Sequence, residues 1–377
     1  MARVRIGRRG RSGRLAPGGL AVVAMGLAVV AIGLAACGSA GSSPAPAGSS
    51  PGTPSATAPR TSPRTSVQTI TLYNGQHPQV TDILVKAFEQ ATGIQVRVHS
   101  GESPELANQI LQEGKSSPAD VFLAENSPAL MALEGKGRLA EVPASTLAQI
   151  PSRYDSPQGD WVGVVAREDV LAYDPSRVPA STLPSSLLSL ARPRWKGEVA
   201  IAPADADFLP LVSAVAALDG RARALQWLQG LQANAQVFQN DEGVIAAVNR
   251  GSVATGIVNN YYWFRLRAQV RAKGMHCALH YFGHHDVGAL LNVSGAGVLA
   301  SSRHQRAANA FLDFLVSQKA QKLLAHSHVD FEYPLRPGVA PNPALRPLGE
   351  LSPPPVGVAQ LGDDKVAASL LSQAGLL

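Results

Sequence analysis

The chain has 377 residues, a formal net charge of +6 and two cysteines, and 45% of its residues are hydrophobic. That hydrophobic share can bury a large core, so wholesale disorder is excluded, and the length allows two or three domains. Two cysteines exclude both a disulfide scaffold and a four-thiolate zinc site.

The basic excess lies ahead of the folded part of the chain. Residues 1–36 contain six arginines and no acid, and Arg60 and Arg64 follow in residues 38–66, again without an acid. Residues 67–377 therefore carry 25 basic and 27 acidic residues, a net charge of −2. Because a nucleic-acid-binding domain keeps its basic residues on the folded body, we expect no nucleic-acid partner.

Residues 1–36 are typical of a lipoprotein signal peptide. An arginine-rich start precedes an apolar stretch, residues 20–36, which is short and interrupted by glycine, and this disfavours the alternative of a membrane-spanning anchor. The stretch ends in Leu34-Ala35-Ala36-Cys37, which resembles the lipobox of bacterial lipoproteins, where cleavage precedes a cysteine that is lipidated. We expect an exported protein, anchored through Cys37 to the outer face of the cytoplasmic membrane.

Residues 37–66 are predicted to be this cysteine and a flexible linker rich in Gly, Ser and Pro. Strand-like and helix-like segments then alternate. The predicted strands are residues 70–73, 94–98, 121–123, 164–165, 170–173 and 253–258. The predicted helices are residues 78–92, 103–113, 127–133, 222–234, 242–250, 264–273 and a long helix or helix pair at 303–324. This alternation predicts an α/β fold with mostly parallel sheets, and about 310 residues exceed one comfortable core, so we expect two lobes.

Seven short motifs occur in an order and spacing that resemble those of a known family. They are Tyr73-Asn74-Gly75-Gln76-His77, Ser117-Pro118-Ala119-Asp120-Val121-Phe122, Trp195-Lys196-Gly197, Asn259-Asn260-Tyr261-Tyr262-Trp263, Gly288-Ala289-Leu290, Ser294-Gly295-Ala296 and Glu332-Tyr333-Pro334-Leu335. Over essentially all of residues 67–377, the chain resembles the periplasmic ferric-ion-binding proteins, the solute receptors of iron(III) ABC transporters.

The resemblance implies the type 2 periplasmic-binding-protein fold, in which two α/β lobes are joined by crossing hinge strands and close on the ligand. We expect lobe 1 to comprise residues 67–168 plus 292–342. Lobe 2 is then expected to comprise residues 169–291 plus 343–377.

The resemblance also implies a set of metal ligands. The family holds iron(III) with one His, one Glu and two adjacent Tyr, which match His77, Glu125, Tyr261 and Tyr262 here. The chemistry agrees, because iron(III) is a hard cation that prefers anionic oxygen donors, and a carboxylate with two phenolates supplies three negative charges. Each of these residues alone has an ordinary structural interpretation, as a turn histidine, a solvated glutamate or packed tyrosines.

The family often adds an exogenous anion, phosphate or carbonate, to the iron. The positions that match its anion pocket are Asn126, Asp205, Ala206, Asp207, Asn240 and Asn259. Because two carboxylates would repel phosphate, we hypothesise that Asp205 or Asp207 weakens the use of phosphate or replaces the anion. The alternative is that both of these side chains point to solvent.

A second group of possible metal ligands lies between His276 and Asp286 and includes Cys277. It could suggest a soft-metal site. The resemblance already places a His and an Asp in this region, so we interpret the group as structural and Cys277 as a buried thiol.

These expectations combine into a monomeric substrate-binding lipoprotein of an ABC importer, not an enzyme. It would capture iron(III) in a cleft between the lobes and deliver the ion to a membrane permease. The alternative is a receptor of the same fold for an oxyanion, a phosphonate or a thiamine-like solute. A remote alternative is a tethered metallohydrolase that uses His77 and Glu125, but the chain lacks a His-Glu-x-x-His helix and a Gly-x-Ser-x-Gly elbow.

Overall fold

The computed structural model describes residues 67–329 and 331–377, and its framework is a ten-stranded sheet. The strands are β1 Thr69–Asn74, β2 Gln95–Ser100, β3 Val121–Ala124, β4 Val162–Tyr173, β5 Val199–Ile201, β6 Ala235–Val237, β7 Thr255–Asn259, β8 Ala278–His280, β9 Leu291–Val298 and β10 Tyr333–Pro334. The strand order is β2-β1-β3-β9-β4-β7-β5-β6, and β8 and β10 pair with β4.

The outer strands of the sheet are parallel and the central strands are antiparallel. Strand β1 pairs in parallel with β2 and β3, and β5 pairs in parallel with β6 and β7. Strand β9 runs antiparallel to β3 and β4, and β4 runs antiparallel to β7. The sheet is therefore mixed, and the expected parallel arrangement holds on either side of a central antiparallel part.

Strand β4 crosses from one half of the sheet to the other. Its residues up to Glu168 pair with β9, and its residues from Asp169 onward pair with β7. The sequence predicted two short strands here, because the charged run Arg167-Glu168-Asp169 interrupts an otherwise apolar segment. All three charged residues are buried within one continuous strand of twelve residues.

The helices cover both halves of the sheet. They are α1 Pro78–Thr92, α2 Ser103–Glu113, α3 Ser127–Glu134, α4 Ala144–Leu147, α5 Phe208–Asp219, α6 Arg221–Asn234, α7 Asp241–Asn249, α8 Asn260–Val270, α9 Gln305–Leu315, α10 Gln318–Ala325, α11 Val358–Leu361 and α12 Lys365–Ala374. The long segment at 303–324 is a helix pair, since the Ser317 hydroxyl begins a new helix by accepting the N–H of Ala320 at 3.2 Å.

The hydrophobic core divides near the middle of β4. One cluster combines residues between 70 and 166 with Phe264 and with residues from 293 onward, and two further clusters lie in the other half of the sheet. The predicted limits place residues 343–377 in lobe 2, but Leu345, Leu351 and Val358 pack in the first cluster, whereas helix α12 packs in the second. The lobe limits themselves stay a prediction.

Within residues 67–329 and 331–377, no helix is long and apolar enough to cross a membrane. The predicted signal peptide at 1–36, Cys37 and the linker to residue 66 lie outside the described residues. Cys277 is free and buried, and burial raises the pKa of its thiol to about 12. It therefore lies in the interior as an un-ionised thiol at neutral pH.

Asp155 is a buried carboxyl group in the first half of the fold. It is 5% exposed, and its Oδ1 accepts the backbone N–H of Gly163 at 2.9 Å. Burial raises its pKa to about 6, although the Gly163 hydrogen bond acts in the opposite direction. Because the folded state binds this proton more tightly than the unfolded state, the free energy of unfolding falls as the pH rises from about 4 to about 6.

We expect Asp155→Asn to remove this loss, since the amide oxygen still accepts the Gly163 N–H and carries no charge. Urea unfolding should show a variant close to wild type near pH 4 and more stable by about 1–2 kcal/mol at neutral pH. Asp82→Asn, which removes an exposed carboxylate from α1, is the matched control. The same stability difference at both pH values would contradict the assignment.

Candidate metal centre

A cavity of about 760 Å³ lies at the carboxyl ends of strands from both halves of the sheet. The residues that follow β1, β2 and β3 line one side of it, and those that follow β5, β6 and β7 line the other. Loops at the carboxyl ends of parallel strands are where α/β folds bind ligands. The cavity is therefore the candidate binding site.

His77 and Glu125 enter the cavity from neighbouring strands. His77 follows β1 and immediately precedes α1, and Glu125 follows β3. The Ser103 hydroxyl accepts the backbone N–H of Glu125 at 2.9 Å. A Cβ at Gly75 would lie 2.2 Å from that hydroxyl oxygen, so glycine is required for β1 and α2 to approach this closely. This local packing sets the position of both candidate ligands.

The tyrosine pair comes from the opposite side of the cavity. Tyr261 and Tyr262 lie in the first turn of α8, directly after β7, and both side chains are buried. Their ring centroids are 4.1 Å apart, and Tyr262 lines the cavity. A strand that runs straight into a helix thus presents two adjacent phenols to the same site.

All four predicted ligands come together. The Tyr261 hydroxyl lies 2.6 Å from Nε2 of His77 and 3.1 Å from Oε1 of Glu125. Nε2 of His77 is 3.1 Å from the same carboxylate oxygen, and the rings of His77 and Tyr262 are 6.1 Å apart, centroid to centroid. Three donor atoms therefore converge directly, and the second phenol is adjacent to them.

The surroundings of the two phenols favour their protonated forms. Burial, followed by the charge of Asp207, raises the pKa of both Tyr261 and Tyr262 well above the usual range. Burial alone would lower the pKa of His77, but the hydrogen bond and charge of Glu125 outweigh it and raise that pKa. A metal ion must displace these protons, which favours an ion of high charge.

Arg167 is a fully buried cation behind the candidate ligands. Its NH2 group donates to Oδ1 of Asp207 at 2.7 Å and to Oδ1 of Asn126 at 2.8 Å. Its NH1 group donates to the Glu125 carbonyl oxygen at 2.6 Å and to Oε1 of Glu332 at 3.3 Å. The guanidinium thus joins residues from both halves of the sheet around the site.

Asp207 is the carboxylate closest to the donor atoms on the second side of the cavity. Its Oδ2 lies 3.3 Å from the Tyr261 hydroxyl, and Asn126 donates to its Oδ1 at 2.9 Å. Burial would raise the pKa of Asp207, but the charge and hydrogen bond of Arg167, together with the Asn126 bond, lower it. Asp207 is therefore a buried, ionised carboxylate.

Asp205 lines the cavity and accepts two backbone N–H groups, from Asp207 at 3.1 Å and from Asp241 at 2.9 Å. Burial, with repulsion from Asp207, raises its pKa to about 7. The sequence left open whether Asp205 and Asp207 point to solvent. Asp207 does not, because it is buried against Arg167, and Asp205 is half-buried and lines the cavity.

The other predicted anion-pocket residues form hydrogen bonds with different partners. Asn126 also donates to the Ala206 carbonyl oxygen at 3.2 Å, and Ala206 lines the cavity. Asn240 lines the cavity and begins α7, where its Oδ1 accepts the N–H of Gly243. Asn259 is buried and its Oδ1 accepts from Asn292 at 3.2 Å. An anion pocket built from all of these positions would therefore need several of these hydrogen bonds to be exchanged.

The described residues contain no group of three or more His, Cys, Asp or Glu side chains placed to hold a metal ion. In the second predicted group, His280 donates to the Pro184 carbonyl oxygen at 2.9 Å, and Asp286 accepts the N–H of Leu187 at 3.0 Å. These contacts fix loops, in agreement with the structural interpretation.

The sequence analysis did not predict a role for Arg167 or its pairing with Glu332. The signal was present, since three consecutive charged residues within an apolar strand are expensive to bury and need partners. Glu332 is separated from Arg167 by 165 positions, so their pairing could not be read from spacing. It depends on β10 pairing with β4.

A cavity at the carboxyl ends of strands from two sheet halves, with one strand crossing between them, defines a solute-binding protein of the type 2 periplasmic fold. The chain belongs to the bacterial extracellular solute-binding proteins, whose family model matches residues 116–348, and within them to the periplasmic ferric-ion-binding proteins. The predicted fold class and family are confirmed.

Individual relatives agree with this assignment. The Fe(3+)-binding periplasmic protein of Serratia marcescens is 41% identical over 310 residues, which cover 82% of this chain and 91% of the relative. The major ferric iron-binding protein of Neisseria meningitidis is 37% identical over 309 residues, which cover 81% and 93%. The crystal structure of iron-bound HitA from Pseudomonas aeruginosa is 42% identical, with a TM-score of 0.78, and the match covers 82% of this chain and all of HitA.

Proposed function

We propose that this protein captures iron(III) with His77, Glu125, Tyr261 and Tyr262 and presents it to the permease of an ABC importer. The observation that carries the proposal is the Tyr261 hydroxyl, which lies 2.6 Å from His77 Nε2 and 3.1 Å from Glu125 Oε1 beside the cavity. The names of the relatives, which describe ferric-iron binding, support it.

The donor set suits iron(III) better than softer or less charged ions. One carboxylate and two phenolates neutralise three positive charges, and oxygen donors match a hard cation. Copper(I) prefers sulfur, and zinc does not need two phenolates. Because both phenols are buried and hold their protons tightly, a divalent ion gains less by displacing them.

An oxyanion receptor would need cationic or hydroxyl-rich walls. Five carboxylate residues line the cavity here, and the described lining contains no Lys or Arg; the five are Glu102, Glu105, Glu125, Asp205 and Glu242. Such a lining attracts cations and repels oxyanions. The carboxylates therefore favour a cationic solute.

In the proposed cycle, iron(III) lands on the tyrosine pair of lobe 2, and closure brings His77 and Glu125 from lobe 1. The protein transforms no substrate, in keeping with relatives that are named as binding proteins. We propose that a lipid on Cys37 holds this monomeric receptor beside its permease, after export and removal of residues 1–36.

Asp207 provides the charge that an exogenous anion would otherwise bring. Its Oδ1 accepts hydrogen bonds from Arg167 and Asn126, and its Oδ2 accepts one from the Tyr261 hydroxyl at 3.3 Å. A phosphate placed there would meet this buried carboxylate at close range, which is costly. We infer that Asp207 replaces the synergistic anion.

We expect the iron(III) affinity of the wild-type protein to change little when phosphate is added. In Asp207→Ala, Arg167 and Asn126 become available to an anion, so affinity should fall without phosphate and recover with it. Competition with nitrilotriacetate at several phosphate concentrations measures the iron(III) affinity. In a separate measurement, the melting temperature of iron-free Asp207→Ala should rise when phosphate is added. Asp205→Asn is the control, and strong phosphate dependence of the wild type would contradict the inference.

A spectroscopic titration tests the proposed function. Iron(III), added as its nitrilotriacetate complex, should produce a visible phenolate-to-iron charge-transfer band that saturates at one equivalent. Zinc and magnesium should produce none. A colourless protein that instead binds a small organic solute would reject iron(III) as the ligand.

A further inference from the structure

Arg265 places a second positive charge beside the candidate ligands. It lies on α8, one turn after the tyrosine pair, and so shares a helix face with it. Its NH1 group lies 3.3 Å from Nε2 of His77. The guanidinium carbon is 5.8 Å from the ring centroid of Tyr261 and 5.6 Å from that of Tyr262. Arg265 therefore contacts or neighbours three of the four proposed ligands.

The surroundings of Arg265 differ from those of Arg167. Arg167 is completely buried and bonded to the carboxylates of Asp207 and Glu332. Arg265 has an ion pair with Glu242, at 3.5 Å, and the two side chains are 19% and 49% exposed. A charge held by one half-exposed carboxylate is free to move, whereas a charge locked between buried carboxylates is not.

The contact between Arg265 and His77 cannot coexist with metal binding through the same nitrogen. A metal ligand must present Nε2 to the ion, and the NH1 group of Arg265 lies 3.3 Å from that nitrogen. A guanidinium and a trivalent ion at this distance also repel each other. Glu242 lines the cavity and lies in the first turn of α7, so it offers Arg265 a partner other than His77.

We propose that Arg265 is a positioning residue that competes with iron(III) for Nε2 of His77 and is drawn aside by Glu242 when the ion binds. This rests on the proposed function. The competition limits the affinity of the closed site. Because Arg265 lies on the same helix as the tyrosine pair, its competition for His77 acts while the lobes are closed, and it speeds the departure of the ion from the closed site.

The test is a double-mutant cycle on the full protein, with wild type, Arg265→Gln, Glu242→Gln and the double variant. Iron(III) affinity is measured by competition with nitrilotriacetate, and release by transfer of iron to a chelator. We expect Arg265→Gln to bind iron about tenfold more tightly and to release it more slowly. Glu242→Gln should weaken binding in the wild-type background and have little effect once Arg265 is replaced.

Two variants separate this role from a purely structural one. Arg265→Lys keeps the positive charge and should behave nearly as wild type. Arg267→Gln removes a charge from the same helix, where the guanidinium lies over Trp263 at 5.3 Å, and should leave iron affinity unchanged. Melting temperatures of the iron-free proteins confirm folding.

Several results would overturn the proposal. Weaker iron binding by Arg265→Gln would mean that Arg265 clamps an anion that accompanies the metal. Unchanged binding would make it a bystander, and additive effects of Arg265→Gln and Glu242→Gln would show that the two residues act independently. If the wild-type protein gives no charge-transfer band, the proposed function itself fails, and the proposal fails with it.

Discussion

Replacing both Tyr261 and Tyr262 with Phe is expected to abolish the visible colour of the iron-loaded protein and to weaken iron(III) binding by about a thousandfold or more. The two phenolates supply two of the three negative charges that the proposed ligands bring to the ion. Phe keeps both rings, which pack at 4.1 Å centroid to centroid, so the fold should survive. Absorption spectra and competition with nitrilotriacetate give colour and affinity in the same samples.

The single variants and a control sharpen this result. Each single Tyr→Phe change should retain a weaker and shifted band, since one phenolate remains. Tyr333→Phe is the matched control, because Tyr333 is also fully buried and its hydroxyl has no hydrogen-bond partner among the described residues. A double variant with the colour and affinity of the wild type would remove both tyrosines from the site.

Arg167→Met is expected to lower the free energy of unfolding by about 3–5 kcal/mol, even without iron. The guanidinium is the shared partner of the carboxylates of Asp207 and Glu332, the amide oxygen of Asn126 and the carbonyl oxygen of Glu125. Methionine fills much of the volume but leaves these buried acceptors without the cation. The loss should shrink as the pH is lowered, because the Asp207 carboxyl then takes up a proton instead.

Urea unfolding at two pH values measures this effect. Arg177→Met is the matched control, since Arg177 pairs with Glu198 at 2.6 Å where both side chains are more than one-third exposed. Exposed pairs contribute about 1 kcal/mol or less, so the control should change stability little. If the free energy of unfolding fell by a similar amount in Arg167→Met and Arg177→Met, the buried ion pairs of Arg167 would not contribute more to stability than an exposed pair.

The local elements of the first half could be predicted from sequence because their patterns are regular. Residues 78–92 and 127–133 were predicted as helices and correspond to α1 and α3, whose ends carry Pro and Gly signals. Helix α5 was missed, since its apolar residues surround it on all sides and leave no period. Strand β9 was missed because it contains the small residues Ser294-Gly295-Ala296-Gly297, which are not typical of a strand.

The sequence indicated which residues form the candidate site, but not how they contact one another. The order of the motifs pointed to His77, Glu125 and the tyrosine pair, but His77 and Tyr261 are 184 positions apart. Their contact follows from β9 and β4 joining the two parallel halves of the sheet, and those pairings are non-local. In the sequence, Arg167 and Arg265 cannot be distinguished from surface arginines. Only the residues that surround them in the fold indicate a role.

The position of iron in crystals of the loaded protein tests the central claim most directly. Diffraction data collected on either side of the iron absorption edge locate the ion without reference to the fold. We expect a single anomalous peak about 2 Å from the hydroxyl oxygens of Tyr261 and Tyr262, the Glu125 carboxylate and Nε2 of His77. A peak elsewhere, or a cleft filled by an organic solute without iron, would contradict the proposed function.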